Sequence, residues 1–164
     1  MDFFEVLKKR RSIRSFISRD VKDSDIEKIL TAASLAPTAR NIQPWEFVVT
    51  KDLLLKEKIA QLVAPNGAFV AQAPVCISIF CKNTKYYLED GCAATTQALL
   101  AATSLGLSAC WIAGDKKDYV QGIGKLLGAP SEYRLVSLIA LGYSLDSPKI
   151  EKRKIIDMIH KDKF

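Results

Sequence analysis

The 164-residue sequence has one histidine, His160, and four cysteines that never occur as a CxxC pair. Zinc sites need closely spaced cysteine and histidine ligands, so the sequence argues against a zinc site. His160 lies in a charged tail, and no serine or cysteine nucleophile can be paired with it as a base. No tight pair of carboxylates stands out in a buried context either. With no side chain suited to difficult chemistry, the sequence indicates either a cofactor enzyme or a protein that is not an enzyme.

A nucleotide-binding glycine loop is also missing. In the segment GIGKLLG, residues 122–128, the third glycine comes one residue too late for GxGxxG, and Tyr119 stands where a P-loop needs glycine. The segment is more typical of a helix that ends at a glycine. Any nicotinamide would therefore bind as a visiting substrate.

Charge is absent from residues 91–114, a stretch long enough to span a membrane. Its threonines and glutamine, and Gly106 near its middle, favour instead a buried helix from about Leu88 to Leu105 followed by a buried strand. A helix with so many apolar sides predicts that a second subunit covers one of them. No apolar run follows a basic N-terminal region, and the cysteines lie among apolar residues, so we expect no signal peptide and a cytoplasmic protein with reduced thiols.

The net charge of +6 comes from the two ends of the chain. Residues 1–19 carry +4 and residues 149–164 carry +3, whereas residues 20–148 carry −1. Five of the seven residues from Lys8 to Arg14 are cations. A nucleic-acid surface or one phosphate site built from both termini would explain this distribution. No aromatic residues are interleaved with the cations, so we favour the phosphate site and expect no nucleic-acid partner.

Hydrophobic periodicity and turn residues predict five helices and four strands in one α+β domain, residues 1–164, without repeats or linkers. Asp2 is expected to cap the first helix. Ser24 and Glu27 are expected to form a capping box for the second helix, which Pro37 ends.

The loop PTARNIQ, residues 37–43, allows two interpretations. Its polar groups could simply satisfy the backbone between a helix and a strand. It could equally form a rigid edge against a planar, amide-rich ligand.

Four segments, taken together and in their order along the chain, resemble the FMN-dependent nitroreductase family. They are RRSIRSF, APTARNIQPWEF, DGCAATTQALLAATSLGLSACWIAG and EKRK, which extend from residue 10 to residue 154. The resemblance implies a three-layer α-β-α sandwich with a central, mostly antiparallel sheet. It also implies an intertwined homodimer whose two FMN sites lie at the subunit interface.

The resemblance further implies how the cofactor is bound. Arg10 and Ser12, with Arg11 beside them, would bind the phosphate and ribityl chain. Arg153 would join them from the C-terminal segment, or one of its neighbours would replace it: Lys152 or Lys154.

At the flavin ring, Arg14 would reach the pyrimidine end. The ring edge would be bordered by a loop of the partner subunit: Pro37, Thr38, Ala39 and Asn41. A backbone N–H directed toward N5 would come from the turn formed by Ile112, Ala113 and Gly114. Two further candidates for flavin contact are Asn66 and Gly67.

The implied activity is oxidoreduction in two-electron, ping-pong steps. Hydride from NAD(P)H would reach flavin N5 and then pass to a nitroaromatic, quinone or similar electron-poor aromatic acceptor. Arg14 would stabilise the negative charge of the reduced ring, and no protein group would act as acid or base. A flavin-binding relative without classical reductase activity is the alternative within the same fold.

Overall fold

A four-stranded antiparallel sheet occupies the middle of the computed structural model, which describes residues 1–164. The spatial order of the strands is β1-β2-β4-β3. Their bounds are Trp45–Thr50 for β1, Val75–Lys82 for β2, Ser108–Ala113 for β3 and Tyr133–Gly142 for β4. The two central strands, β2 and β4, are buried along almost their whole length. Burial on both faces explains why they are continuous apolar runs rather than alternating ones.

Of the five helices, the first packs on the fourth, and the other four cover the two faces of this sheet. Their bounds are Phe3–Lys9 for α1, Asp23–Ser34 for α2, Leu53–Leu62 for α3, Tyr87–Ser104 for α4 and Val120–Leu127 for α5. Short 3-10 turns occur at Ala39–Asn41, Ala68–Gln72 and Ile155–Met158.

Two hydrophobic clusters lie on opposite faces of the sheet. One joins α2 and α4 to the first face, and the other joins α3, α5 and the turn Ala68–Gln72 to the second face. The predicted three-layer α-β-α arrangement is therefore confirmed. None of the helices is long and apolar enough to cross a bilayer.

The helix caps agree with the sequence prediction only in part. Asp2 caps α1 as expected, because its Oδ1 accepts a hydrogen bond from the backbone N–H of Glu5 at 3.0 Å. The predicted capping box of Ser24 and Glu27 is wrong. The chain enters α2 two residues too early for it, since Lys22 is the N-cap and Ser24 already lies inside the helix. The acidic side chains of the first turn take over the favourable interaction with the helix dipole.

Helix α4 packs closely on the sheet. A Cβ at Gly91 would lie 2.7 Å from Val136 Cγ2 and 2.9 Å from Cys81 Sγ, so this position admits no side chain without movement of its neighbours. The hydroxyl groups of Thr95 and Ser137 are 2.7 Å apart at the same contact. Gly106, with φ of +76°, follows the helix end.

The basic segment after α1 runs along the free edge of β3. Ser12 forms a parallel bridge with Ala109, and the backbone N–H of Ile13 donates to the Ala109 carbonyl at 3.0 Å. This pairing fixes the position of the segment that follows, so that Arg14 lies beside the end of β3.

Candidate functional site

A cleft of about 490 Å³ lies at the end of β3. Four segments line it: Arg14, residues 62–69, residues 111–113 and residues 117–119. A more open depression of about 540 Å³, lined by residues 12–15 and 146–148, also contacts Arg14. The two depressions therefore meet at one arginine, and an elongated ligand could occupy both.

Arg14 brings an uncompensated positive charge to the cleft. The three salt bridges of the chain involve Lys28 and Lys51 only, so no carboxylate pairs with Arg14. Its guanidinium carbon lies 6.0 Å from the ring centroid of Phe69. Burial raises the pKa of the nearby Cys110 thiol, and the charge of Arg14 partly offsets that rise. A free guanidinium over an aromatic wall is suited to an anionic planar group.

Arg11 is held by the backbone of its own helix end. Its Nη1 donates to the Lys8 carbonyl at 2.6 Å and to the Arg10 carbonyl at 2.8 Å. These bonds satisfy carbonyls that the end of α1 leaves without helical partners. The Nε of Arg11 is buried and has no partner. Arg10, the C-cap of α1, and Ser12 are half-buried next to it.

A backbone donor at the end of β3 faces away from the sheet. The N–H of Gly114 donates to the Val136 carbonyl at 3.0 Å and is therefore occupied. Hydrogen bonding alternates along an antiparallel pair, so the N–H of Ala113 faces away from β4 toward the cleft. A Cβ at Gly114 would lie 2.7 Å from the carbonyl carbon and oxygen of Val136. Glycine at position 114 therefore allows the close approach of Val136, and the free donor is the backbone N–H of Ala113.

Asn66 and Gly67 line the same cleft as Arg14 and Ile112. A Cβ at Gly67 would lie 2.6 Å from Val63 Cγ2 and 3.1 Å from Ile112 Cγ2. The absence of a side chain lets this loop pack directly against β3 and form one wall.

The loop that begins at Pro37 does not line this cleft. The hydroxyl of Thr38 donates to Asp90 Oδ2 at 2.9 Å, and the Ala39 N–H donates to Asp90 Oδ1 at 3.1 Å. Asn41 Oδ1 accepts a hydrogen bond from the Gln43 side chain at 3.0 Å. The loop is therefore anchored to the first turn of α4, away from Arg14.

The C-terminal cations also lie outside the cleft. Arg153 is exposed, and its guanidinium donates to the Asp157 carbonyl at 3.1 Å. Lys152 and Lys154 are exposed as well. The same tail leaves apolar side chains uncovered, with Leu145 88% and Ile156 74% exposed.

Eight of the thirteen residues that line the cleft were not among the predicted site residues, and they include Phe69, Lys117 and Tyr119. Tyr119 falls in the predicted fifth helix and Phe69 in no predicted element, and only the fold brings both to the cleft that Arg14 lines. The Tyr119 hydroxyl donates to the Ala113 carbonyl, and burial raises its pKa. Lys117 follows β3 closely in sequence, and that position at a strand end is the one signal that could have identified it.

The cysteines provide no reactive centre. All four are free, and burial raises the pKa of Cys76 and of Cys81 to about 12, so both remain protonated at neutral pH. No group of three or more histidine, cysteine, aspartate or glutamate side chains is placed to hold a metal ion.

Comparison with known proteins finds similar sequences and a similar fold. The family model described as "Nitroreductase family" matches residues 7–78 and 65–143. A protein of Methanothermobacter thermautotrophicus with the provisional name NADH dehydrogenase/NAD(P)H nitroreductase is 38% identical, over all of this chain and 88% of its own length. Mouse iodotyrosine deiodinase 1 is 29% identical over 96% of this chain and 68% of its own. The crystal structure of an FMN-dependent nitroreductase from Clostridium difficile R20291 is 31% identical, with a TM-score of 0.93 over 98% of this chain and 99% of that one.

Proposed function

The chain belongs to the nitroreductase family, and on that premise we propose that it is an FMN-dependent oxidoreductase. NAD(P)H would supply hydride, and a nitroaromatic, a quinone or a similar small electron-poor aromatic compound would accept it in two-electron, ping-pong steps. The observation that carries the proposal is the unpaired Arg14 guanidinium in the cleft at the end of β3.

The residues present fit FMN in shape and charge. Phe69, Trp111 and Ile112 give the cleft apolar surface for a planar ring. Arg14 offers a cation, and Ala113 offers an unpaired N–H on the free edge of the sheet. The depression beyond Arg14, which contains Ser12, provides room for a flexible chain that ends in a phosphate.

Arg14 would hold the pyrimidine end of the ring and stabilise the negative charge that reduction adds there. The Ala113 N–H would orient the ring at N5. When bound, FMN supplies the hydride-accepting and hydride-donating atom. The hydroxyl of Tyr119 is committed to the Ala113 carbonyl and its pKa is raised, so it keeps its proton at neutral pH. Solvent would supply the proton for the acceptor.

The phosphate would be bound by Arg10, Ser12 and Arg153, with Arg11 in support. Arg11 already donates to backbone carbonyls, so its contribution is to fix the end of α1. Asp146 lies at the same depression and accepts a hydrogen bond from Ser15. Its negative charge makes further cations necessary for phosphate binding, and the basic tail, with Lys152 and Lys154 beside Arg153, can supply them.

We propose that the working protein is a homodimer. From Cys92 onward the outer face of α4 carries no charge, and it is only half-buried along much of that length, at positions such as Gln97 and Leu100. The apolar residues of the tail are also exposed. A second chain would cover both surfaces and bring its loop of Pro37, Thr38, Ala39 and Asn41 to the ring edge.

We also propose that residues 1–164 form one domain and that the protein is cytoplasmic. Both hydrophobic clusters share a single sheet, which supports one domain. The four free thiols are what a reducing compartment favours.

The purified chain tests the proposal directly. We expect a yellow protein that releases FMN on heating and oxidises NAD(P)H faster when a nitroaromatic or quinone is added. A colourless protein that binds no added FMN would refute the proposed function.

The similarity to mouse iodotyrosine deiodinase 1 favours one alternative reaction, reductive deiodination on the same flavin. Assays with 3-iodotyrosine and with a nitroaromatic at equal concentration separate the two. Turnover of iodotyrosine alone would make deiodination the better assignment.

A further inference from the structure

Asp90 is a buried carboxylate with no cation beside it. It is 5% exposed and takes part in none of the three salt bridges. Burial of an ionised carboxylate is costly unless hydrogen bonds replace the lost water. Here the replacement comes from the loop, through the Thr38 hydroxyl at 2.9 Å and the Ala39 N–H at 3.1 Å. The first turn of α4 adds a favourable dipole.

The loop that Asp90 holds is strained. Arg40, Asn41 and Gln43 have φ values of 55°, 55° and 50°, in the left-handed region that side chains with a Cβ rarely adopt. The Gln43 N–H donates to Thr38 Oγ1 at 3.2 Å, which closes the turn on the residue that Asp90 binds. Such strain persists only where the surroundings enforce it, and it concentrates in segments that bind ligands.

We propose that Asp90 is a positioning residue that clamps this strained loop in the conformation that contacts FMN across the dimer interface. The proposal rests on the proposed function, in which this loop borders the edge of the flavin ring bound to the other subunit. Without the clamp the loop would leave its strained conformation for part of the time. FMN affinity would then fall in proportion to the fraction of time that the loop is competent to bind.

The clamp can be measured without any flavin. Arg40 is exposed within the loop and is a trypsin site, so its cleavage rate in flavin-free, full-length protein reports loop opening. Asp90→Ala should raise this rate by about tenfold, the usual effect of losing a charge-assisted hydrogen bond. Glu89→Ala is the matched control, because Glu89 is the exposed carboxylate of the same helical turn, and its rate should stay within about twofold of wild type.

The link to the cofactor is measured by FMN titration. Asp90→Ala should raise the Kd for FMN by about twofold or more, because the loop without its clamp should be open for at least about half of the time. The reduction potential at saturating FMN should stay close to that of wild type, because a smaller competent fraction weakens the binding of oxidised and reduced FMN by the same factor. The Kd for FMN of Asp90→Asn should lie between that of Asp90→Ala and that of wild type, because the amide oxygen can still accept a hydrogen bond from the Ala39 N–H.

The outcomes separate the clamp from the proposed function. Unchanged cleavage at Arg40 in Asp90→Ala, or faster cleavage with unchanged FMN affinity, would overturn the clamp alone. A wild-type chain that binds no FMN would contradict the proposed function and, with it, this role of Asp90. If Asp90→Ala does not fold, Thr38→Val decides by the same two measurements, because it removes one donor from the loop and leaves α4 intact.

Discussion

Replacement of Arg14 by glutamine should lower the reduction potential of bound FMN. Arg14 has no carboxylate partner, so the field of its charge in the cleft is not cancelled. Two unit charges about 4 Å apart interact by about 4 kcal/mol near a protein surface. The side chain is exposed, and solvent screening reduces this to about 1.5–3 kcal/mol, the range for a hydrogen bond to a charged group. For a two-electron couple this corresponds to a decrease of about 30–65 mV.

The potential can be measured by equilibrating the holoprotein with a reference dye during slow reduction. Reduction by NAD(P)H should slow in Arg14→Gln, while the affinity for oxidised FMN falls less, because the charge matters most after reduction. Lys8→Gln removes a charge from the exposed side of α1 and should leave the potential unaltered. A potential equal to that of wild type in Arg14→Gln, or an equal decrease in Lys8→Gln, would refute the assignment of Arg14 to the ring.

Three further predictions concern the phosphate, the strand end and the thiols. Arg10→Ala should lower the affinity for FMN by about tenfold or more in a fluorescence titration. It should leave riboflavin binding nearly unchanged, since riboflavin has no phosphate. Equal losses of affinity for the two flavins would contradict the assignment of Arg10 to the phosphate. Gly114→Ala should cost about 1–3 kcal/mol of unfolding free energy in urea, because its Cβ would meet the Val136 carbonyl, whereas Gly124→Ala, with open space around it, should not destabilise the protein. Because the folded pKa of Cys76 is raised to about 12 from 9.0, its contribution to stability is full below pH 9 and is lost as the pH rises toward 12; urea midpoints should fall less steeply over this window in Cys76→Ala than in wild type.

Periodicity predicted the elements well, because the apolar positions that recur along the chain are the ones that the layers bury. The predicted helix from about Leu88 to Leu105 is α4, displaced by one residue at each end. The capping box failed at Ser24 because a cap requires extended backbone. The chain satisfies that condition two residues earlier, at Lys22, and no local pattern distinguishes the two positions.

The sequence predicted which segments contribute residues to the site, but not how those segments meet in the fold. Arg14, Ala113 and Asn66 do share one cleft, but the residue types do not tell which backbone N–H stays free. Strand pairing decides that point, by occupying the N–H of Gly114. Asp90 gave no signal, because its partners Thr38 and Ala39 lie about fifty residues earlier in the chain.

The proposed function depends on an FMN site that two copies of this chain complete together. Sedimentation velocity of the purified protein, followed both at the protein absorbance and at the visible flavin band, tests it most directly. We expect one species with the mass of two chains, with the flavin signal moving in the same boundary at one FMN per chain. Flavin that sediments with a stable single chain, or a dimer that carries none after incubation with FMN, would contradict it.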